Sequence, residues 1–170
     1  SPAKAPFDRL HCAVLAELGG GTCRIGVGGV CERPNEFPRS YREAQFALKM
    51  QVVAKGATQV VGFESLGVYR LLSEVQDTAG VDRFVRSWLG ALLDYDSRKH
   101  SALVDTLSEY LECGGSYDAA AASLSVHRNT LKYRLQRIRE LSGHDLSCPD
   151  TRFNLQLATR AWQTLVGLRG

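Results

Sequence analysis

The stretch "LSVHRNTLKYRLQRIREL" occupies Leu124–Leu141. From His127 on it carries the cations Arg128, Lys132, Arg134, Arg137 and Arg139 against the single acid Glu140, a net charge of +4 in a chain whose total is +3. The remainder is therefore close to neutral, and the basicity belongs to one element and not to the surface at large. With Leu131 at the centre of a helical wheel, Leu135, Ile138 and Leu141 share its apolar sector. Asn129, Tyr133, Gln136 and Glu140 fall on the opposite face, with Lys132 at one edge, Arg137 at the other and Arg128 nearer the helix start. A face built only for solubility alternates acids with bases. This one mixes cations with amide and phenol groups, which form directed hydrogen bonds to base edges and phosphates.

The residues just upstream sharpen that reading. "HSALVDTLSEYLEC" is periodic at Leu103, Leu107 and Leu111 and is stopped by Gly114 and Gly115. "SYDAAAASL" then offers Ser116 as N-cap and Asp118 in the first turn, where the helix dipole favours an anion. Ala119 to Ala122 keep this helix thin enough for another to cross it closely. Ser125 ends it and is placed to cap the next helix, predicted from Val126 to about Ser142. A short alanine-rich helix, a tight turn and a longer basic helix form the helix-turn-helix arrangement, whose second helix enters the major groove. The predicted core is Leu131, Leu135 and Ile138 with Leu107, Leu111, Ala121 and Leu124. After Pro149 and Asp150, a last helix shows one apolar stripe at Phe153, Leu157, Ala161 and Leu165 and a second at Leu155, Trp162 and Val166. The second stripe is wider than docking one helix requires and predicts a homodimer, in which two recognition helices read two half-sites; the alternative is that Trp162 simply packs on the front domain.

Toward the N-terminus the signals are mixed. Ser1 to Pro6 reads as a linker, and "FDRLHCAVLAEL" reads as a helix ended by Gly19 to Gly21. "CRIGVGGV" and "TQVVGF" read as strands. Between them "NEFPRSYREAQFALKMQVVAKG" reads as a helix with Ser40 as N-cap, Glu43 completing a capping box and Gly56 as the stop. "LGVYRLLSEV" and "VDRFVRSWLGALLDYD" are further helices, and from Asp94 on the β-signals vanish. The predicted fold class is α+β, with an α/β region over 1–95 and an all-helical domain over 96–170, the shift falling near Tyr95 to His100.

Composition narrows the function. At 170 residues, 44% hydrophobic and 23% charged, the chain can bury a core. No apolar run approaches the ~20 residues that span a bilayer, and "SPAKAPFDRL" lacks the apolar stretch of a signal peptide, so a soluble cytoplasmic protein is expected. Five cysteines, an odd number without a C-x-x-C pair, fit a reducing compartment. His11, Cys12, Cys23 and Cys31 match no usual zinc module, and no metal or cofactor is expected. "GFESLG" has Phe63 where a nucleophile elbow needs glycine, and just past the glycine cluster "GGGTCRIGVGG" Cys31 stands at the last glycine position that the dinucleotide fingerprint requires, so no catalytic residue is assigned.

"AAASLSVHRNTLKYRLQRIRELSGHDLSCPDTRFNLQLATRAWQTL" closely resembles the C-terminal helix-turn-helix of the purine-catabolism and sugar-diacid (PucR/CdaR-type) family of bacterial transcription regulators. "IGVGGV" followed by "SYREAQFAL" resembles the later part of the GGDEF-like domain that precedes it in that family. The resemblance implies a regulator that binds double-stranded DNA and activates genes for uptake or catabolism of a small metabolite. The strands opening a complete GGDEF-like domain are missing before Phe7, which implies a C-terminal fragment whose effector site lies elsewhere. Ser125 stands where many such turns have glycine; a left-handed backbone there costs serine roughly 1 kcal/mol, which predicts a different turn geometry.

Wheel and motif together assign Arg128, Asn129, Lys132, Tyr133 and Gln136 to the DNA-facing surface, and Ser125, His127, Thr130 and Arg137 complete the candidate DNA-binding set. Two other readings compete with DNA binding. One is a nucleotide cyclase or nucleotide-binding fragment, suggested by the GGDEF-like region, for which "RPNEF" at Arg33 to Phe37 only rhymes with the acidic signature. The other is a protein interaction module whose basic helix meets an acidic partner, separable by salt dependence and competition from duplex DNA.

Overall fold

The computed structural model describes residues 5–19, 21–53, 59–75 and 78–169. In chain order the elements are α1 (Ala5–Glu17), β1 (Ile25–Val27), α2 (Phe37–Val53), β2 (Val60–Gly62), α3 (Val68–Ser73), α4 (Thr78–Lys99), α5 (Leu103–Glu112), α6 (Tyr117–Ser123), α7 (Arg128–Ser142) and α8 (Pro149–Arg169). The described chain is mostly helical and its one sheet has two strands, so the expected α+β class is met only in outline. The physical reason is strand length: each β-prone run yields just three paired residues, while the longer apolar periodicities are helical. The linker expected at Ser1 to Pro6 falls largely outside the described residues, as do the helix stop at Gly56 and Gly20 of the first glycine turn.

Two compact units are present: α1 to α3 with the sheet and α8 from Gln163 on, and α4 to α7 with α8 as far as Trp162. Helix α4 runs unbroken through Tyr95 to Lys99.

In the first unit β1 and β2 pair in parallel, Ile25 opposite Val60 and Val27 opposite Gly62. Helix α2 lies directly on the backbone of β1 and the loop after it. A Cβ at Gly28 would come within 2.0 Å of the Ser40 carbonyl oxygen, so only glycine fits. Phe46, Ala47, Met50 and Phe63 form the buried centre, the two phenyl rings meeting edge to face at 6.1 Å. The capping box expected at Ser40 and Glu43 is not formed, because α2 begins at Phe37. Both side chains instead hold Gly29: Ser40 Oγ donates to its carbonyl oxygen at 2.7 Å, and its N–H donates to Glu43 Oε2 at 2.7 Å. His11 Nε2 lies 3.0 Å from the Cys23 carbonyl oxygen, and no cluster among the described residues could hold a metal ion.

The second unit is built on α5, which packs against α4, α6 and α7. Leu103, Val104, Thr106, Leu107, Tyr110 and Leu111 are all buried, as a helix surrounded by helices requires. Its N-terminal amides are capped from a distance: Asp96 Oδ1 accepts from Leu103 N at 2.8 Å and Oδ2 from Val104 N at 2.9 Å. The chain reverses after α4 through His100, whose φ of 50° is left-handed. Gly114 and Gly115, both left-handed, end α5 as the sequence predicted, their N–H groups returning to the carbonyls of Leu111 and Tyr110.

Candidate nucleic-acid interface

Helix α6 starts where expected, with Ser116 Oγ accepting from Ala119 N. Ala120 and Ala121 are buried while Ala119 and Ala122 face solvent, so the small side chains serve close packing on α5 and α7. The turn that follows corrects two expectations. Ser125 is left-handed, with φ of 53°, and the turn keeps the geometry usually given to glycine. Ser125 N donates to Ala122 O at 3.1 Å and Val126 N to Ala121 O at 3.0 Å, a Schellman closure whose two hydrogen bonds satisfy otherwise open carbonyls and offset the serine's strain. Ser125 does not cap α7, which begins at Arg128 and not at Val126. His127 is the cap, its Nδ1 accepting from Asn129 N at 3.2 Å.

Leu131, Leu135 and Ile138 are fully buried, and Leu107, Leu111 and Ala121 are buried with them; Leu124 is half-buried. This apolar row fixes the rotation of α7. Of the residues singled out in the sequence, Ser125, His127, Arg128, Asn129, Thr130, Lys132, Tyr133 and Gln136 are exposed. Tyr133 is 71% exposed, a large exposure for a ring with so much apolar surface. Arg128 Nη1 pairs with Asp118 Oδ1 at 3.0 Å across the turn. Gln136 Nε2 donates to Glu140 Oε1 at 3.2 Å.

Arg137 departs from the rest of the set. It is half-buried, lies over the Tyr95 ring at 5.2 Å and pairs with Glu140 Oε2 at 3.0 Å; the Glu140 hydrogen bond holds its guanidinium even more firmly protonated. Three further features escaped the sequence reading. Arg134 Nη1 donates to Thr106 Oγ1 at 3.3 Å, Arg139 Nη2 donates to the Tyr117 hydroxyl at 3.2 Å, and Asp96 caps α5. No local pattern signals such partners, which lie 28 and 22 residues apart in the two arginine contacts.

The stripes assigned to α8 are buried only in part, with Leu157 and Trp162 half-buried. Phe153 is 67% exposed and Val166 44%, whereas Leu155, Ala158, Thr159, Ala161, Thr164 and Leu165 are buried. Glu112 of α5 grips this helix: Arg160 donates through Nε at 2.8 Å and Nη2 at 2.9 Å. Among the described residues no helix is long and apolar enough to cross a membrane.

Comparison with known proteins bears on this arrangement. Residues 103–161 match the PucR C-terminal helix-turn-helix domain, and residues 1–50 match a GGDEF-like domain. The chain is 30% identical to the DNA-binding transcriptional activator AdeR of Bacillus subtilis over 134 residues, covering 78% of this chain and 32% of that protein. It is 31% identical to the purine catabolism regulatory protein of the same organism over 139 residues, covering 82% and 26%. With the carbohydrate diacid regulator of Escherichia coli it shares 28% identity over 144 residues, 85% and 37% of the two chains. The chain thus spans about a third or less of the length of the first two relatives. These relatives are regulators by name and do not favour the cyclase or interaction-module readings. With a basic helix seated on α5 and α6 and both domain matches in the order that the motifs predicted, the chain belongs to the PucR/CdaR-type family of transcription regulators.

Proposed function

We propose that this chain is the DNA-reading portion of a transcriptional regulator, with α7 as the recognition helix in the major groove. One observation carries the reading: a buried Leu131, Leu135 and Ile138 row holds α7 so that a cationic face, poor in acids and bearing Asn129, Tyr133 and Gln136, stands clear of the fold. Arg128 and Asn129 suit guanine and adenine edges respectively, and Lys132 suits a phosphate. Ser125, His127 and Thr130 border the helix start, where base edges come nearest. Arg137 is assigned to the flank, since Tyr95 and Glu140 already engage its head group.

The whole protein is a transcription regulator. It activates genes for uptake or catabolism of a metabolite, a reading supported by one relative named as a transcriptional activator and another as a purine catabolism regulator, and it works in the cytoplasm beside its DNA. The effector is bound by sequence outside these residues. The division between the GGDEF-like and DNA-binding parts is placed near Tyr95 to His100, between the two matched segments, although the compact unit built on α5 takes in the whole of α4. The protein acts as a dimer, because one helix-turn-helix covers few base pairs and Phe153 stands exposed on α8. No catalytic role is assigned.

Selection of bound duplexes from a random pool tests this. A recurring motif with two related half-sites is expected, and sedimentation should show two chains per site. Failure to enrich any motif would contradict sequence-specific binding, and one monomer on one unrepeated half-site would contradict the dimer.

A further inference from the structure

Two cations of α7 differ from the others. Arg128 faces Asp118, Arg137 faces Glu140 and Arg134 donates to Thr106. Among the described residues no carboxylate forms an ion pair with Lys132 or Arg139. Asp145 influences Arg139 electrostatically, but its carboxylate is taken up by the N–H and hydroxyl of Ser147, at 2.8 and 2.7 Å.

What Arg139 does touch is a neutral phenol. Its Nη2 donates to the Tyr117 hydroxyl at 3.2 Å, and the Tyr117 ring is packed edge-on at 5.3 Å against the buried ring of Tyr110. The Arg139 hydrogen bond pulls the Tyr117 phenol below its ordinary range, with smaller contributions from the Arg139 charge, a Tyr110 hydrogen bond and the Lys132 charge. Accepting from Arg139, the Tyr117 oxygen still carries an O–H that can donate. Arg152 of α8 adds positive charge, its guanidinium lying beside Gly115 and near enough to act on Tyr110. Arg139 and Arg152 thus flank a pair of packed phenols, and Lys132 lies on the same side of α7 as Arg139.

The position of this cluster indicates its ligand. A helix with side chains is about 10–12 Å across and the major groove about 12 Å wide, so side chains roughly a quarter-turn from the base-facing row meet the sugar-phosphate edge. Lys132 and Arg139 stand about a quarter-turn from the row of Asn129, Tyr133, Gln136 and Glu140, on the side nearest α6. We propose that Tyr117, Arg139 and Lys132 form a clamp for one backbone phosphodiester of the duplex. The inference rests on the DNA-binding reading above. The clamp places a neutral donor and two cations around one anion, and it fixes register without reading sequence.

The test titrates the full chain with a random-sequence duplex and with a selected duplex over a range of salt, after melting curves establish folding. Lys132 is exposed, so its replacement does not touch the core. Lys132→Gln and Arg139→Gln should each reduce the slope of log affinity against log salt by about 0.9. Each should weaken both duplexes by the same factor, and Arg139→Lys should restore the slope. Tyr117→Phe should weaken both duplexes several-fold and leave the slope unchanged, because it removes an uncharged donor. If wild type binds with strong salt dependence and both glutamine variants keep its slope, the clamp is wrong and DNA binding stands. If Arg139→Gln weakens only the selected duplex, the residue reads bases and the clamp is again wrong. A wild type that binds neither duplex overturns both the clamp and the DNA reading.

Discussion

Arg128 at the start of α7 lies 3.0 Å from Asp118 in the first turn of α6, so an exposed ion pair links the two helices of the motif at the surface proposed to meet DNA. An exposed pair contributes ~0–1 kcal/mol, and an acid in a first helical turn adds a similarly small dipole term. Next to phosphates the same carboxylate is repulsive and occupies an arginine. Asp118→Asn should therefore lower stability by less than ~1 kcal/mol and raise affinity for duplex DNA. Melting and titration on one sample measure both, and weaker DNA binding would show that the pair positions Arg128.

Ser125 supplies a second prediction. With φ of 53° it takes a conformation in which glycine has no Cβ penalty, and the Schellman hydrogen bonds on either side hold it there. Ser125→Gly should stabilise the protein by about 0.5–1 kcal/mol in chemical denaturation. A loss of stability would mean that the serine hydroxyl contributes more than the backbone strain costs.

A third prediction concerns the row that sets the rotation of α7. Leu135 is fully buried between Leu131 and Ile138, so Leu135→Ala removes transfer energy and leaves a cavity, costing ~2–5 kcal/mol. DNA binding should fall with the folded fraction. Wild-type melting in this variant would show that α7 does not use this row as its core face.

Acid stability is the subject of the fourth. Arg160 hydrogen-bonds to Glu112 and holds its carboxyl below the ordinary 4.5, with Gln156 adding a weaker hydrogen bond at 3.3 Å. A folded-state value below the unfolded one means that the contribution is fully present above about 4.5 and is lost as pH falls through the depressed folded value. The pair is 31% and 40% exposed, so water screens it and the contribution is modest. Unfolding measured from pH 6 to about 2 should show Glu112→Gln losing less stability on acidification than wild type. Parallel curves would exclude Glu112 as a source of acid sensitivity.

Particular residues show which parts of this arrangement were legible in the sequence. Leu131, Leu135 and Ile138 were readable because helix period alone decides their face once the helix is long. Ser116 and the pair Gly114 and Gly115 were readable because caps act over three or four residues. Ser40 and Glu43 have capping-box spacing, but spacing cannot show that Gly29, 11 and 14 residues away, takes both side chains. On α8, apolar residues lie on several sides, and a wheel cannot tell which side the fold covers; Phe153 was placed in a stripe and stands in solvent. The cap on α5 comes from Asp96, seven residues before Leu103 across a left-handed His100, beyond the reach of any local rule. The Tyr117 and Arg139 contact depends on how α6 crosses α7, which only the folded chain determines.

The central claim is that the exposed face of α7 reads sequence. The most direct measurement compares the binding of a selected duplex with that of a scrambled one, for wild type and for a variant carrying alanine at Arg128, Asn129, Lys132, Tyr133 and Gln136. Wild type should prefer the selected site by about a thousandfold or more, and the folded variant should lose that preference. A variant with unchanged melting and an undiminished preference would contradict the assignment of this face to DNA.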